Sequence, residues 1–213
     1  MSIFTHTPNE CVTATDGRKF FISRSVAVIP QVYCWIKGEK LYILVNERGP
    51  DCPDHVGEWA LPCGYLDWDE SGGEAARREI FEECDFDIAS PPAGLTRWFS
   101  LDLWDVITEP KEDGRQNILL HYTTSFVAQE LPIITKVPDG ETSQVRWMPV
   151  EEALQIQFAF GHQYNIYDCL NWQHKNNKIL YAARSGWDAL DAKVPANVRQ
   201  QCNLRKTKRR LSF

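Results

Sequence analysis

The stretch from Gly64 to Phe86, GYLDWDESGGEAARREIFEECDF, constrains this chain more than any other part of it. It sets Arg78 and Glu79 just before the pair Glu82 and Glu83. If the segment is helical, Glu79, Glu82 and Glu83 stand at i, i+3 and i+4, so the three carboxylates share one face. Like charges at that spacing repel, and an isolated helix loses a few tenths of a kcal/mol, roughly, for each pair. A hard divalent cation reverses the sign, because Mg²⁺ takes oxygen ligands and keeps room for waters and substrate phosphates. A solvated acidic face is the other reading. Spacing alone leaves both open.

The flanking residues add a start signal. Ser71 with Glu74 three places later predicts a capping box. Ala75, Ala76, Ile80 and Phe81 are expected to form the buried stripe.

With Gly64, Glu70, Arg78, Glu79, Ile80, Glu82, Glu83 and Phe86 in these places, the segment resembles the signature of the Nudix hydrolases. The signature carries a glycine where this chain has Asp85, which implies a left-handed backbone just past the helix, one that Asp tolerates better than most side chains. The resemblance implies an α/β fold, an α/β/α sandwich with a mixed β-sheet. It implies a metal-dependent hydrolase that cleaves the diphosphate linkage of a nucleoside diphosphate derivative, with Mg²⁺ or Mn²⁺ as cofactor. On this reading Glu82 and Glu83 are metal ligands, and Glu79 is a ligand or the base that activates water. Arg78 orients Glu79, Glu70 supports the loop before the helix, and the Gly64 carbonyl completes the coordination. Glu141, on a loop before the expected last strand, is a further ligand or base. An ADP-ribose or dinucleotide compound is the favoured substrate. A nucleoside triphosphate, capped or 5′-triphosphorylated RNA, and a non-catalytic nucleotide sensor are the alternatives.

Elsewhere the sequence reads as strands around this helix. Residues 24–36 and 40–47 predict a hairpin through Lys37-Gly38-Glu39, and residues 49–57 an exposed loop. Leu95–Ile107 and Ile118–Gln129 predict long strands, Val145–Met148 a last short one, and Pro149 a helix start. Another helix is expected over residues 165–183. The organisation expected is an N-terminal segment at 1–19, a Nudix domain at 20–160, and a helical segment with a basic tail at 161–213. Trp35, Tyr65, Trp68, Trp98, Trp104 and Tyr122 are candidates to stack on a base, with sheet packing as the alternative. Arg97 and Arg115 are candidate phosphate contacts, with soluble surface as the alternative.

Charge is uneven. The +7 of residues 193–213 against an overall −6 leaves −13 on the rest of the chain. The tail, Arg205 to Arg210, suits RNA or another acidic partner, or else a solvated end. Removing residues 204–213 is expected to leave hydrolysis of small nucleotides unchanged. The 7 cysteines lack a framework spacing, and no secretory signal or membrane-spanning run is legible, so a reduced, cytoplasmic setting is expected. Cys52, His55 and Cys63 lack the second pair a zinc site needs, and His162 and His174 read as helix-surface or packing residues. The expected partner is a nucleotide-type small molecule rather than a membrane, and a homodimer stays open.

Overall fold

The computed structural model describes residues 9–36, 40–90, 94–98, 100–109, 117–176 and 184–211. Strands β1 (Glu10–Thr13) and β2 (Lys19–Ile22) form a separate antiparallel pair. The main sheet is built on β3 (Val26–Ile36) and β4 (Leu41–Arg48), joined by β5 (Trp59–Ala60), β6 (Gly64–Tyr65), β7 (Leu95–Trp98), β8 (Asp102–Ile107), β9 (Ile118–Ala128) and β10 (Thr142–Pro149). Its order is β10-β4-β3-β9-β7, with β5 on β4, β6 on β3 and β8 on β9. The β3–β9 pair is parallel and the other pairs are antiparallel, so the sheet is mixed.

Helices cover both faces, and the period of the strands decides which residue meets which helix. In β3 and β4, Ile29, Tyr33, Leu41, Ile43 and Val45 join the core cluster that also holds Ile166 and Leu170 of α3 (His162–Lys175). The alternate residues Val32, Cys34, Ile36 and Leu44 face Ile80 and Cys84 of α1 (Gly72–Cys84). Both faces of β3 are covered, which is why its sequence is apolar almost throughout. The first cluster continues through α2 (Val150–Ala153) into Trp187 and Leu190 of α4 (Arg184–Lys193) and Val198 and Cys202 of α5 (Ala196–Leu211). This is the expected α/β/α sandwich.

The hairpin register is Tyr33↔Ile43 and Trp35↔Leu41, while its turn, residues 37–39, lies outside the described residues. The capping box at Ser71 is present in both directions. Asp85 caps α1 with φ 52° and ψ 38°, and its N–H donates to the Phe81 carbonyl. Phe81 is 52% exposed and does not belong to the buried stripe. It lies one position round the helix from Ile80, and Cys84, a full turn on from Ile80, fills the inner face instead.

Leu95–Ile107 is not one strand. Trp98 pairs with Phe126 and Asp102 with Thr123, so four steps on one side face three on the other, and the ladder breaks into β7 and β8. The helix expected at 165–183 is α3, which begins earlier, at His162. The one starting at Pro149 is a four-residue turn. Among the described residues the cysteines are all free, and no helix is long and apolar enough to cross a membrane.

Candidate active site

Helix α1 enters from a loop pinned by Arg78. Its Nε and Nη2 donate to the two oxygens of Glu70 at 3.1 and 2.7 Å, a bidentate fork. Nη1 donates to Glu79 at 2.7 Å and to Glu82 at 3.0 Å, and Nη2 also donates to the Tyr65 carbonyl at 2.9 Å. One guanidinium therefore gathers three of the expected carboxylates and the backbone of β6. The fork with Arg78 holds the Glu70 carboxyl below the usual carboxylate range, and Glu70 in turn pushes the Arg78 pKa further up.

Glu79 is buried, and its carboxylate lies against Gly64 so closely that any Cβ there would overlap it. The glycine is required by this approach. Burial raises the Glu79 carboxyl, with Arg78 opposing. Glu83 points elsewhere. Its Oε2 accepts from Asn46 Nδ2 and from the Cys63 N–H, both at 3.1 Å, and Oε1 takes no bond among the described residues. Glu83 keeps some surface, yet it sits deep between α1 and the sheet, and that desolvation pushes it up to about 8, with Glu79 and Glu141 adding to the rise.

A cleft of about 480 Å³ opens beside these groups. Gly64, Glu83 and Glu141 line it from one side, over a floor formed by Ala27, Ile29 and Leu119 of the parallel strands β3 and β9. Glu70, Arg78, Glu79 and Glu82 do not line the cleft themselves, but Glu79 lies against Gly64 and Arg78 donates to the Tyr65 carbonyl, and both of those residues do. Glu141 is positioned by its backbone: its N–H donates to Asp139 Oδ1 at 3.0 Å, and its carbonyl accepts from the Gly49 N–H at 2.8 Å.

Among the described residues no three His, Cys, Asp or Glu side chains converge as a metal-holding group. The physical reason lies in the partners above, since Arg78 draws Glu82 to itself while Asn46 and Cys63 hold Glu83. The donors nevertheless suit a hard cation. They are oxygens only, Glu83 Oε1 has no competing bond, and the glycine leaves space that a carboxylate fills.

Several contributors escaped the sequence reading. Arg48 lies over the Phe160 ring at 5.0 Å and donates to Asp54 within the cleft wall. Asn46, 2% exposed, positions Glu83. Their signal is a contact across the fold, which no local pattern carries. His162 is buried and its Nδ1 accepts from the Leu61 N–H at 3.0 Å, so it packs, as expected, but at the cleft wall. Of the aromatic candidates, Tyr65 lines the cleft, Trp68 is 87% exposed, and Trp104 packs on His121 and Trp172. Arg115 and the side chains of Arg97, Trp98, Lys208, Arg209 and Arg210 lie outside the described residues. The basic tail does not stand apart from the site, because Arg205 on α5 is one of the cleft residues.

A family model described as the NUDIX domain matches residues 29–169. The NUDIX domain of Shewanella oneidensis NrtR, solved with ADP ribose, is 20% identical and superposes with a TM-score of 0.54 over 71% of this chain and 89% of its own. A mutT/nudix family protein from Listeria innocua is also 20% identical, with a TM-score of 0.50 over 72% of this chain and 96% of its own. No curated protein sequence matches the chain.

Proposed function

The chain belongs to the Nudix family and is a pyrophosphohydrolase of nucleotide-type substrates, and from that premise we propose that it cleaves the diphosphate linkage of an ADP-ribose- or dinucleotide-type compound. The observation that carries the reading is the cleft itself. Carboxylates and the Gly64 backbone stand on one side, an apolar floor and aromatic rims on the others, in a volume of about 480 Å³ that suits a nucleotide-sized ligand. The ADP ribose bound to the NrtR NUDIX domain makes that compound the first to try.

Glu82, Glu83, Glu79 and the Gly64 carbonyl are the groups that would hold Mg²⁺ or Mn²⁺. Such a cation, when bound, neutralises charge on the diphosphate and lowers the pKa of a water. Arg78 fixes the orientation of Glu79 and ties it to Glu70, so the carboxylates are held in place before substrate arrives. Glu79 or Glu141 takes the proton of the attacking water. The floor of Ile29 and Leu119 excludes bulk water from one side of the substrate.

Turnover of ADP-ribose, NADH, diadenosine polyphosphates, nucleoside triphosphates and 5′-capped or triphosphorylated RNA, with and without Mg²⁺ or Mn²⁺, tests this. Products are resolved by mass. ADP-ribose yielding AMP and ribose 5-phosphate, with the reaction abolished in Glu82→Gln, is the expected result. Hydrolysis confined to triphosphates or RNA overturns the substrate assignment. Tight binding without turnover in any arm would instead mean a sensor.

A further inference from the structure

Helix α5 lies outside the residues that match the family, yet it supplies one side of the cleft. Arg205 is the residue concerned. Its Nη1 donates to the side-chain oxygen of Asn165 at 3.1 Å, and its guanidinium lies 5.7 Å from the centre of the Tyr164 ring. Both partners are neutral. The other cleft cation, Arg48, already pairs with Asp54, and Lys206, next along the helix, pairs with Asp168 at 2.6 Å. Among the described residues no carboxylate neutralises Arg205.

Asn165 completes the arrangement. It is buried, it lines the cleft, and its amide oxygen is committed to Arg205. Its Nδ2 is therefore left as a donor, with no acceptor among the described residues. The remaining guanidinium N–H groups and the neighbouring amide N–H₂ take no carboxylate among the described residues, and that combination selects an anion. The same cleft holds acceptor carboxylates at Glu83 and Glu141. Its charge is thus divided between two sets of groups, which suits a substrate with an anion beyond the diphosphate.

We propose that Arg205, seated on Asn165, is a specificity-determining residue that binds a phosphate or carboxylate on the part of the substrate away from the cleaved diphosphate. The proposal rests on the hydrolase reading above and narrows it to substrates with a second anionic group. Either half of the substrate can carry that group, on the nucleoside or on the sugar joined to it.

Two matched pairs separate these sources. ADP-ribose and its 2′-phosphate differ on the nucleoside side; UDP-glucose and UDP-glucuronate differ on the sugar side. The wild-type protein is expected to favour the anionic member of one pair in kcat/KM, through KM, by about tenfold or more, the scale of one charge-assisted hydrogen bond. Arg205→Gln should abolish that preference and Arg205→Lys should retain part of it. Calorimetry on Glu82→Gln, with and without Arg205→Gln, reads the same preference as a ratio of Kd values without turnover. Anionic and neutral members handled alike by the wild-type protein, or a preference that survives Arg205→Gln, overturns the proposal. Metal-dependent cleavage of the neutral members reports separately on the hydrolase reading. A variant that loses only thermal stability, with the ratio unchanged, would reduce Arg205 to a clip between α5 and α3.

Discussion

Arg78 is the residue that ties Glu79 and Glu82 of α1 to Glu70 of the preceding loop, since its guanidinium donates to all three. A lysine keeps the charge and loses the planar fork, so Arg78→Lys is expected to lower stability by about 1–3 kcal/mol in urea denaturation, with activity falling as Glu79 loses its orientation. Unchanged stability and turnover would leave Arg78 an ordinary surface cation. Glu83 depends on a different partner. Replacing Asn46 by leucine removes the Nδ2 donor at 3.1 Å, and kcat/KM should fall by about 10–100-fold, as when an outer-shell partner is lost. Glu83→Gln should fall further, by more than about 100-fold. Equal effects of the two substitutions would mean that Asn46 and Glu83 act as one unit. At this scale the helical period put Glu79, Glu82 and Glu83 on one face, while Gly64, Glu70, Arg78 and Glu141 were named only through the resemblance to the Nudix signature. Asn46 and Arg48 were not legible, and Arg205 was read only as part of a basic tail, since each reaches the site from an element distant in sequence from α1.

Helix α1 shows where local chemistry decides an element and where it does not. The Ser71 box and the Asp85 cap follow from side chains within a few residues of the helix ends, and both were legible. Asp85 stands at φ 52°, a backbone that costs a β-carbon about 1–2 kcal/mol, and its carboxylate also accepts a hydrogen bond from Thr135. Asp85→Gly and Asp85→Ala both lose that bond, so their difference isolates the backbone. The glycine variant is expected to be more stable than the alanine variant by about 1 kcal/mol in chemical denaturation. Identical midpoints would show that the cap is not strained. Strands β7 and β8 mark the opposite case. Leu95–Ile107 reads as one run because its apolar and aromatic residues outweigh Ser100, Asp102 and Asp105, and the break appears when its register is counted against β9.

The C-terminal segment poses the question of how many units the chain makes. Its composition reads as a basic tail, and α5 is polar over most of its surface. Among the described residues, Val194, Val198 and Cys202, with Trp187 and Leu190 of α4, were available to signal burial, too few to stand out from a charged sequence. These side chains nevertheless extend the cluster built on β3, β4 and α3, with Val198 and Cys202 almost wholly enclosed. Burying each contributes on the order of 1.5–3 kcal/mol. Ending the chain at Val194 should therefore cost about 3 kcal/mol or more, a large share of the 5–15 kcal/mol typical of a domain, and should expose apolar surface that binds a hydrophobic dye. A truncated protein with an unshifted denaturation midpoint would make residues 196–213 an appendage. The same deletion removes Arg205, so stability and substrate preference ought to fall together in the truncation and separately in Arg205→Gln. That separation tells whether α5 serves the site through the fold or through its own guanidinium.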